Sequence, residues 1–273
     1  MRFLDNANDL KDWKREVLKD VRRHLDRREF LKAALIGSAT LAGPAFLGAG
    51  RVLGAAPKAK DTPKAVKTGT FFFPRMLFHV KDGTGDQWNT DLIGDAILRK
   101  RLAELTNVNV SQDPVVVKLA DLAHMCRYPF VFATSEGYFD LPKKEENNLK
   151  EFLMRGGFIH ADDCVLNRTG DRFFRDYCKM IRRLFPDNEL RKIPKGHELY
   201  HCYFDFPDGA LFLQGNKSIG GDFGLFEKGT GRIMTLVTPW DYHCGWCNMF
   251  FTKQLNEKSL RMGINIIIYY LTH

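Results

Sequence analysis

Two short runs constrain this chain more than anything else in it. Phe130-Val131-Phe132-Ala133-Thr134 and Phe158-Ile159-His160-Ala161 are aromatic or β-branched and carry no formal charge at neutral pH apart from any on the histidine. Runs this short and this apolar fit strands that are buried on both faces. Between them Leu149, Phe152 and Leu153 fall at helical spacing, Asp140 stands ready to cap that helix, and Gly156-Gly157 ends it. The same alternation repeats on either side. Met76-Leu77-Phe78-His79-Val80 suits a first strand, followed by a helix capped by Asn89 or Thr90 that runs to Leu105. Val115-Val116-Val117 is a second strand, with a short helix near Asp121 to Cys126 after it. Phe173, Phe174, Tyr177, Ile181 and Leu184 recur at helical spacing up to Pro186; such a stripe marks a core face. Ile233 to Val237 is a late strand, and Asn256 opens a terminal helix with Leu260, Ile264, Ile267 and Leu271 inward. Strand and helix alternating at this spacing predict an α/β fold with a mostly parallel sheet covered on both faces. Residues 190–232 break the pattern. They are rich in aromatics, Gly and Asp, and predict an irregular β-rich insertion.

The N-terminal fifth has a different character. Asp26-Arg27-Arg28-Glu29-Phe30-Leu31-Lys32 carries the twin-arginine pattern, and Ala33 to Gly50 follows without a charge. That stretch is rich in Ala, Gly, Ser and Thr and contains Pro44, so it suits a signal h-region better than a spanning helix, which needs about 20 strongly apolar residues. Leu53-Gly54-Ala55-Ala56 supplies small residues for cleavage. The expected organisation is a twin-arginine export signal over 1–55, a polar linker over 56–69 and one α/β domain over 70–273. The expected partner for export is the twin-arginine translocase and the expected location is the periplasm. A membrane attachment follows only if the signal stays uncleaved.

Charge excludes little beyond one class. The chain carries 41 Lys and Arg against 33 Asp and Glu. Residues 1–55 hold eleven of the former and seven of the latter, so half of the net +8 belongs to the signal. The remaining mild excess gives no reason to expect nucleic acid. Six cysteines, at 126, 164, 178, 202, 244 and 247, would suggest disulfides in an oxidising compartment. Export after folding removes that inference, because the chain would have folded in the reducing cytoplasm. Cys126 and Cys178 read as buried thiols packed like small hydrophobes.

Open α/β sheets bind ligands beyond the carboxyl ends of their strands. That rule selects His79 to Gly83, Thr134-Ser135-Glu136-Gly137, Asp162-Asp163-Cys164 and Pro239-Trp240-Asp241-Tyr242-His243-Cys244, which are dense in ionisable side chains. Glu136, Asp162, Asp241 and Trp240 are the candidate binding residues. Trp88, Tyr242 and Trp246 suit either the wall of a sugar or peptide cleft or the core. Asp162 and Asp163 also suit capping of a following helix or turn. His160, Asp162 and Cys164 alternate along a strand and together suit zinc or a similar divalent ion.

The order Tyr128-Pro129-Phe130-Val131-Phe132-Ala133-Thr134, a helix, then Gly156-Gly157-Phe158-Ile159-His160-Ala161-Asp162-Asp163-Cys164 resembles domain-of-unknown-function family 4159. Leu184-Phe185-Pro186, Ile193-Pro194, His197 and Cys244-Gly245-Trp246 extend the resemblance over roughly residues 70–273. That family is similar to the class I glutamine amidotransferase-like superfamily, which implies a flavodoxin-like sheet and no particular reaction. The superfamily comparison places a nucleophile elbow at Asp163-Cys164, with Cys164, Asp163 and His243 as the catalytic set. The Gly residues that flank such an elbow are missing here, and two acids beside a thiol raise its pKa.

Two further motifs carry chemistry elsewhere. His197-Glu198-Leu199-Tyr200-His201 matches the zinc-peptidase pattern, which requires both histidines on one helical face; Pro194 and Gly196 just upstream argue against such a helix. Cys244-Gly245-Trp246-Cys247 matches a redox pair, a local disulfide, half a metal site or a loop with two thiols. The function expected from these features is ligand binding or interaction at a polar cleft, for a small molecule, a sugar or a protein. The alternatives are a Cys-dependent or metal-assisted hydrolase or transferase at the same cleft, and a zinc peptidase at His197–His201.

Overall fold

A computed structural model of the chain describes residues 69–81, 88–90, 92–165 and 170–273. The signal expected over 1–55 and all but the last residue of the linker expected over 56–69 lie outside them. The elements follow in the order β1 (Pro74–Leu77), α1 (Leu92–Leu105), β2 (Val115–Lys118), α2 (Leu122–Met125), β3 (Phe130–Ser135), α3 (Lys143–Met154), β4 (Phe158–Asp163), α4 (Arg172–Leu184), β5 (Glu189–Lys192), β6 (Phe223–Phe226), β7 (Ile233–Thr238), α5 (Tyr242–Trp246) and α6 (Lys253–Thr272). The seven strands form one sheet in the order β2-β1-β3-β4-β7-β6-β5. Its first five are parallel; β6 and β5 run antiparallel at one edge.

The two founding runs are buried on both faces because alternate side chains enter different cores. Phe130, Phe132 and Phe158 point into one apolar cluster with Leu98, Leu102, Trp246, Leu260 and Ile264. Val131, Ala133, Ile159 and Ala161 point into the other, with Leu149, Phe152, Phe173 and Tyr177. Helices α1, α5 and α6 therefore cover one face, and α3 and α4 the other. Phe130 and Phe158 stack at 5.7 Å across the strand pair, and Phe132 lies 5.1 Å from Trp246. Each such ring buries on the order of 150–250 Å², so aromatic packing dominates this half of the core. The insertion does supply β5 and β6, joined to β7, while the rest of it runs through turns and two short 3-10 segments, Glu198–Tyr200 and Lys217–Ile219.

Three local expectations shift. Asp140 does not cap α3: the N-cap is Pro142, without a side-chain bond, and Asp140 pairs with Lys81 at 2.8 Å. The terminal helix starts at Lys253, three residues before Asn256, because Thr252 accepts from the backbone N–H of Leu255 at its N-cap. The segment after β7 is a helix, α5, and not only a loop. Among the described residues no helix is long and apolar enough to cross a membrane.

Helix α5 sits against α6 at a distance only glycine allows. A Cβ on Gly245 would lie 2.5 Å from both Cβ and Oγ of Ser259 and 2.9 Å from Leu213. Gly245→Ala is therefore expected to destabilise the protein by about 1–3 kcal/mol through overpacking. Gly196→Ala, where a Cβ meets nothing within 4 Å, should stay within about 0.5 kcal/mol of wild type. Urea unfolding of both variants checks this; equal midpoints would refute the close packing.

Candidate functional site

The carboxyl ends of β3, β4 and β7 meet at one edge of the sheet, and Asp162 joins them. Asp162 pairs in register with Thr238 of β7. Its carboxylate accepts from the Thr238 hydroxyl and from the backbone N–H groups of Tyr242 (3.3 Å) and His243 (2.9 Å). A strand residue thus caps α5, whose own N-cap, Asp241, makes no side-chain capping bond. Burial, then the nearby Asp241 carboxylate, pushes the Asp162 carboxyl above its ordinary value. Asp163, the next residue, points to the other face and accepts from the backbone N–H of Phe174 in the first turn of α4 at 2.8 Å. Burial pushes it up to about 7 despite that bond. Both acids thus serve helix N-termini, the simpler of the two roles their position suggested.

A sulfur–carboxylate cluster lies beside this joint. Cys164 Sγ is 3.8 Å from Cys244 Sγ at the start of α5 and 3.8 Å from Glu136 Oε1 beyond β3. Asp241 completes it: ligand atoms of Cys164, Asp241 and Cys244 all fall within 4.8 Å of one another. Asp241 holds a left-handed backbone at φ 63°, a conformation that short polar side chains tolerate and most others avoid. Gln214 donates to its Oδ2, while its Oδ1 is buried without a hydrogen-bond partner among the described residues. The contact with Cys244 draws the Cys164 thiol down, but burial and the surrounding carboxylates outweigh it, and the net direction is upward. Cys244 is raised as well, first by its contact with Cys164 and then by burial. Neither thiol is set up as a free thiolate nucleophile.

On the opposite side of α5, His243 meets a buried ion pair. Arg75 of β1 grips Asp95 of α1 with two bonds, Nη2 to Oδ1 at 2.6 Å and Nε to Oδ2 at 3.1 Å. His243 Nε2 lies 2.8 Å from Arg75 Nη2 and 3.3 Å from Asp95 Oδ1. Burial opposes the charge on Asp95, but Arg75 and His243 outweigh it and hold the carboxyl below its ordinary value. Arg75 also donates to the carbonyls of Trp88 and Thr90 and lies over Phe132 at 5.0 Å. His243 is engaged here, and no hydrogen bond joins Cys164 to any histidine among the described residues. Cys164, Asp163 and His243 are therefore not assembled into one hydrogen-bonded set. His160 does not join Cys164 either: its Nε2 is 2.9 Å from the Thr238 hydroxyl, and burial, then His243, pulls its pKa down to about 3. Cys164 and Val165 themselves are not helical, and α4 begins at Arg172. Among the described residues of this edge, a strand-to-helix turn through a left-handed residue lies at Asp241.

A cleft of about 620 Å³ opens next to the cluster, walled by Trp240 and Phe212 and ringed by Lys192, Lys195 and Lys217, with Asp208 among its lining residues. Trp240 and Phe212 meet edge to face at 5.2 Å, and Lys217 Nζ lies 4.7 Å above the Phe212 ring. None of the three lysines is ion-paired among the described residues. Beneath the cleft, Asp222 is fully buried and accepts from the hydroxyls of Tyr200 (2.9 Å) and Tyr242 (3.2 Å). It ties the insertion to α5.

The two remaining motifs resolve differently from their patterns. His197 is extended and bonds its own turn through Leu199 N–H, Glu198–Tyr200 is one 3-10 turn, and His201 bonds Asp205 and the Lys195 carbonyl. The shared helical face that zinc-peptidase chemistry needs is absent. Cys244 faces Cys164, while Cys247 bonds the His243 carbonyl at 3.5 Å, and none of the six cysteines forms a disulfide. Sequence reasoning missed the Cys164–Cys244 pairing, Gln214, the Arg75–Asp95 pair and the lysine ring. Only the placement of Asp241 and Cys244 after a buried strand signalled any of them.

The chain belongs to the family described as Domain of unknown function (DUF4159), whose model matches residues 76–271. No curated protein matches the chain.

The Asp222 network makes stability depend on pH. Burial, only partly offset by the tyrosine hydroxyls, raises this carboxyl to about 7 from an ordinary value of 3.8. Its folded form binds a proton that the unfolded form has lost, so the contribution is full below about pH 4 and is lost as pH rises through about 7. Wild-type stability is expected to fall between pH 5 and pH 8 by more than that of Asp222→Asn, the difference being on the order of a few kcal/mol. Thermal melts of both proteins across that range check it; parallel pH profiles would refute it.

Proposed function

We propose that this DUF4159 domain is an exported ligand-binding module whose ligand is a small anionic, sugar-like molecule held in the cleft at the carboxyl edge of the sheet. The observation that carries the reading is the cleft itself: three exposed lysines, none ion-paired among the described residues, around the exposed ring of Phe212 with Trp240 buried against it. Lysines supply charge for a phosphate or carboxylate, and an aromatic face supplies contact for an apolar sugar face. The site lies where doubly wound sheets hold ligands. Membership of the class I glutamine amidotransferase-like superfamily is part of the same proposal. Its support is the parallel order β2-β1-β3-β4-β7, which matches the flavodoxin-like arrangement.

Residues 1–55 act in this proposal as the signal that delivers the folded domain to the twin-arginine translocase, with the periplasm as destination. The support is Arg27-Arg28 ahead of an uncharged stretch and a small-residue cleavage segment. Changing Arg27 and Arg28 together to Lys is expected to keep the protein in the cytoplasmic fraction; undiminished appearance in the periplasmic fraction would overturn export by this route.

Binding is tested by calorimetric titration with glucose 6-phosphate and glucuronate as probes, against glucose as the neutral control. The anionic probes are expected to bind and glucose not. Lys192→Gln with Lys195→Gln should weaken binding about tenfold or more, as loss of charge-assisted contacts worth about 1.5–3 kcal/mol requires. Equal affinity for glucose, or no loss in the double variant, would refute the cleft as an anion site.

A further inference from the structure

We propose that Cys164, Asp241 and Cys244 form a zinc site, with Glu136 placed to supply a fourth ligand. The proposal goes beyond the lysine cleft and does not depend on what that cleft holds. It uses a different ligand set from the His160, Asp162 and Cys164 alternation along β4, because the two other positions of that strand are committed. Asp162 caps α5, and His160 is bonded to Thr238.

Geometry is the first support. Two Zn–S bonds of about 2.3 Å at a tetrahedral angle put the sulfurs roughly 3.8 Å apart. The two free thiols stand at 3.8 Å, and a carboxylate oxygen of Asp241 lies within 4.8 Å of both. Two sulfurs with one carboxylate are a ligand set suited to zinc, leaving one position for Glu136 or an exogenous donor.

The second support is the unpartnered oxygen. Asp241 is 1% exposed, and among the described residues its Oδ1 has no hydrogen-bond partner, while the carboxylate as a whole interacts with the thiol and the backbone N–H of Cys244. Leaving a buried polar atom unsatisfied costs about 1–3 kcal/mol, more when it is charged. Oδ2, by contrast, is held by Gln214, which orients the carboxylate as an outer-shell partner orients a metal ligand. The left-handed backbone at Asp241 is a further local cost, borne where it aims the side chain into the cluster. A bound cation satisfies Oδ1, and it removes the protons from both thiols on binding. One charged ion thereby accounts for three buried groups that otherwise crowd one another.

The ligands also come from rigid places. Cys164 follows a six-residue strand pinned between β3 and β7, and Asp241 and Cys244 flank the start of α5, which Asp162 caps. Cys247, the other half of the Cys-x-x-Cys motif, bonds the His243 carbonyl and stays outside the set. The site therefore predicts that Cys244 binds metal without its motif partner.

The full-length chain purified without chelator is expected to carry one zinc per molecule by elemental mass spectrometry. Replacement with cobalt(II) should give thiolate-to-cobalt charge-transfer absorption and the visible bands of a tetrahedral ion. Both should vanish in Cys164→Ser and in Cys244→Ser and persist in Cys247→Ser and Cys178→Ser. Zinc should also protect Cys164 and Cys244 of the wild-type protein from alkylation, and chelator should restore labelling, a readout that needs no variant to fold. Folded protein that takes up neither ion at micromolar concentration would overturn the proposal. So would cobalt bands that survive in the Cys164 and Cys244 variants, or that depend on Cys247. A Cys164–Cys244 disulfide in unreduced protein that binds no zinc once reduced would overturn it equally.

Discussion

The carboxylate of Asp162 carries the architecture of the carboxyl edge of the sheet. It is fully buried, yet it holds a hydroxyl of β7 and two backbone N–H groups of the five-residue helix α5. A helix that short has almost no stability of its own. Taken alone, Tyr242–Trp246 would not hold a helical shape; with its first amides satisfied from β4, it does. Everything that α5 presents follows from that. His243 is delivered to the Arg75–Asp95 pair on one side and Cys244 to Cys164 on the other. Gly245 and Trp246 close the contact with α6, where Trp246 donates to the Ser259 carbonyl at 3.0 Å and Ser259 donates to the Tyr242 carbonyl at 2.8 Å.

The charge balance along this edge is uneven in an informative way. Asp95 is buried beside a guanidinium that approaches it through two parallel bonds, so its negative charge is stable where it stands. Asp162, Asp163, Asp222 and Asp241 have no such cation among the described hydrogen bonds and are all pushed upward by burial. Three of them are satisfied by backbone amides or hydroxyls. Among the described residues Asp241 alone of the four retains an open oxygen, and its carboxylate lies beside two thiols. Burial of four acids without a guanidinium is costly, and that cost is concentrated at the carboxyl end of the sheet.

What the sequence made legible was whatever local pattern decides. Phe130–Ser135 and Phe158–Asp163 are strands because every residue in them must be buried, and no helix-forming alternative fits so short a run. The stripe from Phe173 to Leu184 became α4 for the same reason. The failures share a cause too. α5 is created by Asp162, 80 residues earlier, so no window around Tyr242 announces it. Asp140 looked like a cap but found Lys81, a partner supplied by the turn after β1. At the site, position was readable and pairing was not: the strand-end rule selected Glu136, Cys164 and Asp241, but the register that sets Cys164 against Cys244 belongs to β4 and β7. His197–His201 shows the converse, a sequence pattern intact in letters and absent in space because the chain there turns as a 3-10 segment.

The antiparallel pair at the end of the sheet has a consequence for how molecules of this protein meet one another. Strand β5 is the outermost strand on that side, and it reads Glu189-Leu190-Arg191-Lys192. Three of its four residues are charged, and the Arg191 guanidinium folds 3.8 Å over the Phe226 ring of its neighbour. An edge with unused backbone hydrogen-bonding groups is a template for a second sheet. Here the template is only four residues long, crowded with ions and partly roofed by an arginine. Pairing this edge with another strand would have to desolvate those ions and lift the arginine from its ring, so the edge is a poor template, while β6 and β7 behind it carry the apolar core.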